Sequence, residues 1–434
     1  MLRELEKKIL SKKAKIGIIG LGYVGLPLAV SFAKKGFNVC GMDIDAKKVK
    51  KLNNGESYIL DVSSSDLAEA RRKKNLRGTS DFSAIKGLDA IIICVPTPLN
   101  KSKEPDVSYI VSAVGSIKKH MKRGQLMVLE STTYPGTTEE VMLPILESDG
   151  LKEGEDFYLA FSPERVDPGN KRYHTENTPK IIGGISEKST MIAKLLYEQA
   201  IETIVPVSSS KVAEMVKLLE NTFRIVNIGL VNEIMLMCDK LGIDVWEVID
   251  AAKTKPYGFM PFYPGPGVGG HCIPVDPIYL SWKARGHGFE ARFIDLASYV
   301  NSQMPHYVVD KVVEGLNDHG KPLRCSKVLI LGVAYKKDVK DLRESPALEI
   351  INLLVKKGAL VSYYDPYLPY LKIDDINLKG LPFNESSFRD SDCVVITTDH
   401  TDVDYNFVLK HSKLVLDTRN VLKGAKKRDK IIKL

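Results

Sequence analysis

The chain has 434 residues, 44% of them hydrophobic and 27% charged, with a formal net charge of +8. That length exceeds one ordinary core, so two or three domains are expected, and the composition is that of a soluble globular protein. The charge is modest and unclustered, which suits anionic small molecules and argues against nucleic acid, and no run approaches the roughly 18 apolar residues that a membrane span needs. The stretch from Met1 to Lys13 is charged throughout and lacks the apolar centre of a signal peptide. Cys40, Cys94, Cys238, Cys272, Cys325 and Cys393 have no paired spacing, and the histidines have no metal-ligand spacing. Reduced thiols in the cytoplasm, without a disulfide framework or a metal, are the expectation.

The first domain, residues 1–207, begins with a buried strand from Lys15 to Gly20 that runs into Gly20-Leu-Gly22-Tyr-Val-Gly25. A helix over Leu26 to Lys35 and a strand over Phe37 to Met42, ending in Asp43, complete the context that a G-x-G-x-x-G signal requires. Gly20 makes the turn, Gly22 admits a pyrophosphate, and Gly25 lets helix pack on strand. Asp43 stands where a carboxylate binds the adenine ribose and would repel a 2′-phosphate, so NAD is predicted over NADP. Three further strands, Ala90 to Val95, Leu126 to Glu130 and Tyr158 to Phe161, end in Pro96-Thr97-Pro98, Ser131-Thr132-Thr133 and Ser162-Pro163-Glu164-Arg165. Ligands of open parallel sheets sit beyond such carboxyl ends, although Ser, Thr and Pro also end strands as plain turn residues. Glu164 and Arg165 could equally form a surface ion pair.

The middle domain, residues 208–320, opens with Pro206-Val-Ser-Ser-Ser210, which breaks the sheet pattern and supplies helix caps. Val212, Val216, Leu219, Phe223, Val226, Leu230, Ile234, Met237 and Leu241 then repeat at steps of four and three, forming one apolar seam. That seam buries against the same chain or against a second subunit. Lys217, Asn221 and Arg224 form a polar stripe on another face, either a solvated face or an anion site. Trp246 to Ala252 continues as helix, and Ile294 to Leu316 reads as a second long helix interrupted by Pro305. Between them, Tyr263 to Pro277 is dense in Gly and Pro around Cys272. Glycines let a ligand approach the main chain, and prolines stiffen the entry (Pro264, Pro266) and the exit (Pro274, Pro277). Such a turn can present the Cys272 thiol to a substrate, with Asp276 close by; the alternative is a buried structural cysteine.

The last domain, residues 321–434, repeats the strand–helix–strand plan: Ser326 to Gly332, Ala347 to Lys357, and Leu360 to Tyr364 ending in Asp365. Only Gly332 of the glycine fingerprint is present, so this half should not hold a dinucleotide in the same way. Lys336, Lys337 and Arg343 suit a nucleotide diphosphate. Strands over Cys393 to Thr397 and Leu414 to Asp417 follow, with Arg419 just past an end. The predicted fold class is α/β, with two Rossmann-like parallel sheets joined by a helical domain and a long bridging helix.

Gly20, Gly22, Gly25 and Asp43, then Lys217 and Asn221, then Gly269-Gly-His-Cys272 with Asp276, then Lys336 to Arg343, stand in an order that resembles the UDP-glucose/GDP-mannose dehydrogenase family over nearly the whole chain. The run Phe262 to Leu280 is most similar to the branch that oxidises UDP-N-acetylhexosamines. The resemblance implies oxidation of the sugar C6 hydroxyl to a carboxylate with two NAD, through a thiohemiacetal and a thioester on Cys272. UDP-N-acetylglucosamine is the first expectation for the substrate, with UDP-N-acetylmannosamine or UDP-glucose as alternatives. It implies that Lys217 and Asn221 stabilise the oxyanion, and that Asp276, Glu164 and Thr132 manage protons and water. By resemblance Tyr23, Val24, Lys48, Thr97, Thr132 and Arg343 join the glycines and Asp43 around NAD. Phe161, Glu164, Arg165, Lys217, Asn221, Arg224, Phe262, Tyr263, Gly265, Gly269, Tyr335, Lys336 and Arg419 would line the UDP-sugar. A homodimer or higher homo-oligomer is implied. One departure stands out: where the UDP-glucose branch sends an arginine to a neighbouring subunit's substrate, Thr254 to Met260 holds only Lys255, which weakens the case for UDP-glucose. The competing readings are a β-hydroxyacid dehydrogenase, which makes a single hydride transfer and needs no cysteine, and a catalytically idle NAD or nucleotide-sugar sensor.

Overall fold

Short apolar runs that end in Gly, Ser, Thr or Pro become the strands, and longer runs with helical periodicity become the helices that cover them. The computed structural model describes residues 1–59, 62–100, 102–166, 170, 172–270, 272–426 and 429–434. His271, inside the glycine-rich motif, lies outside the described residues. The chain divides into two compact units, Met1–Glu220 with Ile278–Phe289, and Asn221–Pro277 with Glu290–Leu434.

The first unit is built on β1 (Lys15–Ile19), β2 (Asn38–Met42), β3 (Leu76–Thr79), β4 (Ala90–Ile93), β5 (Leu126–Leu129), β6 (Tyr158–Phe161), β7 (Lys180–Gly184) and β8 (Ile204–Pro206). They lie in the order β3-β2-β1-β4-β5-β6-β7-β8. Every neighbouring pair is parallel except β6 and β7, where Phe161 faces Gly183 in an antiparallel register. The described residues joining those two strands hold no helix, a connection that an antiparallel neighbour permits. Alternate residues of β4 enter different cores, Ala90 and Ile92 in one and Ile91 and Ile93 in the other, as a sheet covered on both faces requires. Pro206 ends the strand at the sheet's edge, where its missing N–H costs no ladder bond.

In the second unit β9 (Lys327–Leu331), β10 (Leu360–Tyr364), β13 (Cys393–Ile396), β14 (Val415–Asp417) and β15 (Ile431–Lys433) form a parallel sheet in the order β10-β9-β13-β14-β15. A hairpin of β11 (Tyr370–Ile373) and β12 (Ile376–Lys379), absent from the sequence expectation, stands apart from it.

Two expectations about the middle of the chain change, and the alternatives for the long helix stay open. The helix Arg292–Asp318 runs straight through Pro305 without interruption. A proline inside a helix costs about 3 kcal/mol. Here Met304, Val308, Val309, Val312 and Leu316 are buried in one core cluster, and that burial outweighs the loss. The exit from the glycine-rich stretch is not a stiff turn but a helix, Cys272–Arg285, whose first residue is the cysteine. Pro274 falls in its first turn, where no intrahelical N–H bond is lost. Finally, the helix Ser210–Leu241 buries Ala213, Leu218, Ile225, Met235 and Cys238 rather than its apolar seam. Leu219, Phe223, Leu230, Met237 and Leu241 are 45–65% exposed. Among the described residues no helix is long and apolar enough to cross a membrane.

Candidate active site

In the first unit the turn after β1 is shaped by three glycines with three different surroundings. Gly20 has φ +92°, and a Cβ there would lie 2.4 Å from the Cys94 carbonyl oxygen. A Cβ on Gly25 would lie 1.9 Å from the Gly20 oxygen, whereas one on Gly22 would meet no atom within 4 Å. Two of the glycines are demanded by the fold, and the third leaves space above the start of the helix Gly25–Lys34. At the end of β2 the Leu21 N–H donates to Asp43 Oδ2 at 2.8 Å, and the Asp45 N–H to Oδ1 at 2.9 Å. Lys48 Nζ stands 3.4 Å from the same carboxylate. Tyr23 is exposed on the turn and Val24 half-buried. This cradle fits a dinucleotide: open backbone at a helix start, and a fixed carboxylate beside it.

Beyond β4 and β5, Thr97 and Thr132 come together, the Thr97 hydroxyl donating to the Thr132 carbonyl at 2.6 Å. The Tyr279 hydroxyl donates to the Thr97 carbonyl. Past β6 the Phe161 ring is fully buried in the core, so it can meet a ligand only through its backbone. Glu164 and Arg165 take separate partners rather than each other's charges. Arg165 pairs with Glu220 at 2.5 Å, and Glu164 Oε2 lies 3.2 Å from Lys180 Nζ. Burial pushes the Glu164 carboxyl up, but Lys180 and the Val166 and Arg165 amides outweigh it and hold the group below the usual carboxylate range. On the long helix Lys217 is half-buried. One turn before it, Glu214 is fully buried and accepts from the Gly136 N–H (2.5 Å), the Thr138 N–H (2.9 Å) and the Thr138 hydroxyl (2.7 Å). Burial pushes Glu214 up to about 7.

In the second unit Cys272 is exposed at the head of its helix, and Asp276, one turn on, lies on the same helical face. Asn221 Nδ2 donates to Asp276 Oδ2 at 2.5 Å, and both side chains are buried. Two residues separated by 55 positions in the chain thus tie the long helix to the cysteine helix. Arg224 is exposed on the long helix. The loop before Cys272 is fixed along its length. Phe262 packs edge-on against Phe223 with ring centroids 5.8 Å apart, and Tyr263 stacks on Trp246 at 5.6 Å. The Gly265 N–H donates to Asn232 Oδ1 at 3.0 Å, Asn232 Nδ2 donates to Asn301 Oδ1 at 2.8 Å, and the Gly270 N–H donates to the Arg343 carbonyl at 2.9 Å. Side chains would collide along it: a Cβ on Gly265 would lie 2.7 Å from Arg419 Nη1, and one on Gly269 2.7 Å from Tyr335 Cβ.

Arg419 Nε donates to the Thr397 carbonyl at 2.9 Å, past the end of β13. Lys336 is half-buried beside Tyr335, and Arg343 pairs with Asp341 at 2.7 Å. Cys272, Asp276, Asn221, Gly265, Gly269, Tyr335 and Arg419 are therefore linked within one unit. The amides Asn232 and Asn301 and the acid Glu214 were missed from sequence. A buried polar residue on an otherwise apolar helical face was the available signal.

An open dinucleotide turn in the first unit fits an NAD-binding domain, and the second unit holds an exposed cysteine one helical turn from a hydrogen-bonded carboxylate. Comparison with known proteins agrees. The NAD binding, central and UDP binding domains of the UDP-glucose/GDP-mannose dehydrogenase family match residues 14–201, 211–303 and 329–424. The chain belongs to that family, and it is an NAD-dependent UDP-sugar dehydrogenase. It is 38% identical over 421 residues to UDP-N-acetyl-D-mannosamine dehydrogenase of Methanococcus maripaludis, covering 94% of this chain and 93% of that one. It is 37% identical over 390 residues to UDP-N-acetyl-D-glucosamine 6-dehydrogenase of Salmonella typhi, covering 89% and 90%. The solved UDP-D-ManNAc dehydrogenase of Pyrococcus horikoshii superimposes with a TM-score of 0.88 at 36% identity, over 96% of this chain and 98% of that one.

Proposed function

We propose that the chain oxidises the C6 hydroxyl of a UDP-N-acetylhexosamine to the uronic acid in two hydride transfers, with Cys272 carrying the sugar between them. The Asn221–Asp276 hydrogen bond carries this reading, because it sets an amide donor and a carboxylate together one helical turn from an exposed thiol. When bound, NAD would supply the hydride acceptor for each oxidation. The C6 hydroxyl loses its proton as the first hydride leaves, giving an aldehyde. The Cys272 thiolate adds to the aldehyde carbon. Loss of the second hydride leaves a thioester, and water cleaves it, freeing the carboxylate and the thiolate. Lys217, by its charge, and Asn221, as a hydrogen-bond donor, stabilise the oxygen that becomes negative at each addition. Asp276, Glu164 and Thr132 hold the water and take its proton. Tyr335, Lys336 and Arg419 bind the UDP group, while Gly22, Asp43, Lys48 and Thr97 bind NAD.

The glycine-rich run favours the glucosamine epimer. A second reading, the mannosamine epimer, is supported by the relatives named for it. A panel of UDP-sugars, assayed by NADH release, decides between them. The preferred sugar should yield two NADH per molecule; one NADH per molecule would return the single-hydride reading. Cys272→Ala should lower uronate formation roughly 1,000-fold or more while NAD affinity, followed by titration, stays within about twofold. Normal uronate production by that variant would contradict the covalent route.

The exposed seam Leu219 to Leu241 is covered, in this reading, by a second copy of the chain. Phe293, Leu296 and Tyr299 on the helix Arg292–Asp318 are 54–77% exposed and extend the apolar surface. Sedimentation should give a dimer for the native chain and a monomer for Leu230→Glu; a native monomer would refute it.

A further inference from the structure

Four groups that the sequence scatters meet inside the first unit. β7 runs antiparallel to β6 with Phe161 opposite Gly183. Continuing that register past the end of β6 sets Glu164 opposite Lys180, which a parallel strand would have carried away. Lys180 is 4% exposed, and its Nζ lies 2.9 Å from Glu130 Oε2 and 3.2 Å from Glu164 Oε2. Glu130, 1% exposed at the end of β5, accepts the Tyr197 hydroxyl on its other oxygen. Glu164 Oε1 accepts the Arg165 and Val166 N–H groups at 2.7 and 2.8 Å. The cluster therefore holds two carboxylates against one ammonium.

We propose that Lys180 is a positioning residue for Glu164, turning its carboxylate and keeping it charged so that it receives the proton of the hydrolytic water. This rests on the role given to Glu164 above. The balance of the step is simple. The water oxygen bonds to the thioester carbon, one water proton passes to Glu164, the C–S bond breaks, and its electrons return to Cys272 as thiolate. Before the step, Lys180 is shared between two negative partners. Once Glu164 is protonated, Lys180 and Glu130 remain as a matched pair. Uptake of the proton thus relieves a buried excess of negative charge, which is the condition under which a charge-paired carboxylate still works as a base. Without Lys180, two carboxylates would face each other in a poorly solvated space, and one would be protonated before the reaction began.

The test uses the full-length enzyme with UDP-N-acetylmannosamine and UDP-N-acetylglucosamine in single-turnover acid release from pH 5 to 9. Acid quenching and mass measurement of the Cys272 thioester accompany each run. Lys180→Met should move the acidic limb of hydrolysis up by about one pH unit and let the thioester accumulate. Lys180→Arg should restore the native limb. Glu130→Gln, which leaves Lys180 wholly to Glu164, should move the limb the other way, so the proposal stays testable if Lys180→Met does not fold. A KM for each substrate within about twofold of native excludes a general distortion of the site. Unmoved limbs in folded Lys180→Met and Glu130→Gln, with Glu164→Gln inactive in hydrolysis, would overturn the role of Lys180 alone. Native hydrolysis by Glu164→Gln would instead overturn the role of Glu164 itself.

Discussion

The two Rossmann-like halves begin with the same turn and finish it differently. Gly20 and Gly332 both have a positive φ, +92° and +86°, and at each a Cβ would strike a strand-end carbonyl, Cys94 at 2.4 Å and Thr398 at 2.6 Å. In both, the next residue's N–H donates at 2.8 Å to a carboxylate ending the neighbouring strand, Asp43 for Leu21 and Asp365 for Val333. There the likeness stops. The N-terminal turn continues through Gly22, with open space at its Cβ, while the C-terminal turn continues through buried Ala334, whose N–H also goes to Asp365 at 3.2 Å. Asp365 is further engaged by His400 Nε2 at 3.0 Å, and His400 Nδ1 accepts the Asp338 N–H at 3.0 Å. His400 is fully buried, so its ring serves as a peg between two loops. The geometry of the turn is thus a property of the fold, while the open space at Gly22 belongs to the first turn and not to the second.

That contrast can be broken most severely at the glycines. Gly22→Val should fold with near-native thermal stability yet lower NAD affinity by roughly 100-fold or more, because its side chain fills the space meant for the ligand. Gly25→Val should instead cost several kcal/mol of stability, about 3 or more by denaturant titration, because its Cβ must displace the Gly20 carbonyl. Equal thermal losses in the two variants would erase the distinction drawn between an open and a filled position.

A smaller effect is expected at the paired carboxylates. Asp43→Ala should reduce discrimination against NADP by roughly tenfold in kcat/KM. Asp365→Asn should leave cofactor preference unchanged and lower stability by about 1–3 kcal/mol, since a buried set of donors loses its charged acceptor. Unchanged discrimination in Asp43→Ala would mean that the first carboxylate serves only its own turn.

The mildest test uses pH. Burial alone would raise Asp365, but the His400 bond and the Val333 and Tyr367 amides hold it below the usual carboxylate range. Its contribution is present above the unfolded value near 4 and is lost as pH falls through the folded value. Glu214, pushed up to about 7 by burial and held by neutral donors, behaves in the opposite sense. Its folded form prefers the proton, so its share of stability is full below about pH 4.5 and is lost as pH rises to about 7. Urea midpoints of Glu214→Gln should lack that decline, which amounts to no more than about 1.4 kcal/mol per pH unit in the native chain. An identical slope in the variant would remove Glu214 as its source.

Much of this was legible in the residue order. The strands that were expected end within a residue or two of expectation because apolar runs and their polar terminators are local signals, whereas β3, β7, β8 and β15 were not foreseen. The glycine turn was readable because its steric demands act within a few positions. What failed or stayed open depends on distance or on partners. The seam from Val212 to Leu241 was found correctly as apolar, but periodicity cannot say what covers a face. Pro305 was read as a break because its local cost is visible in sequence and the core that outweighs it is not. Lys180 carries no sign of Glu130 or Glu164, since only the reversal of β7 brings them together. Asn232 and Asn301 were passed over for the same reason: each is unremarkable until the other is opposite.

The two amides have a practical consequence for anyone transplanting the Cys272 loop. Gly265 hangs from Asn232, which hangs from Asn301, and the far end of the loop is moored to the Arg343 carbonyl. A graft of the glycine-rich segment into another scaffold would arrive without its anchorage and let the sulfur wander. The transferable part is the loop together with both asparagines and the Tyr335–Arg343 turn.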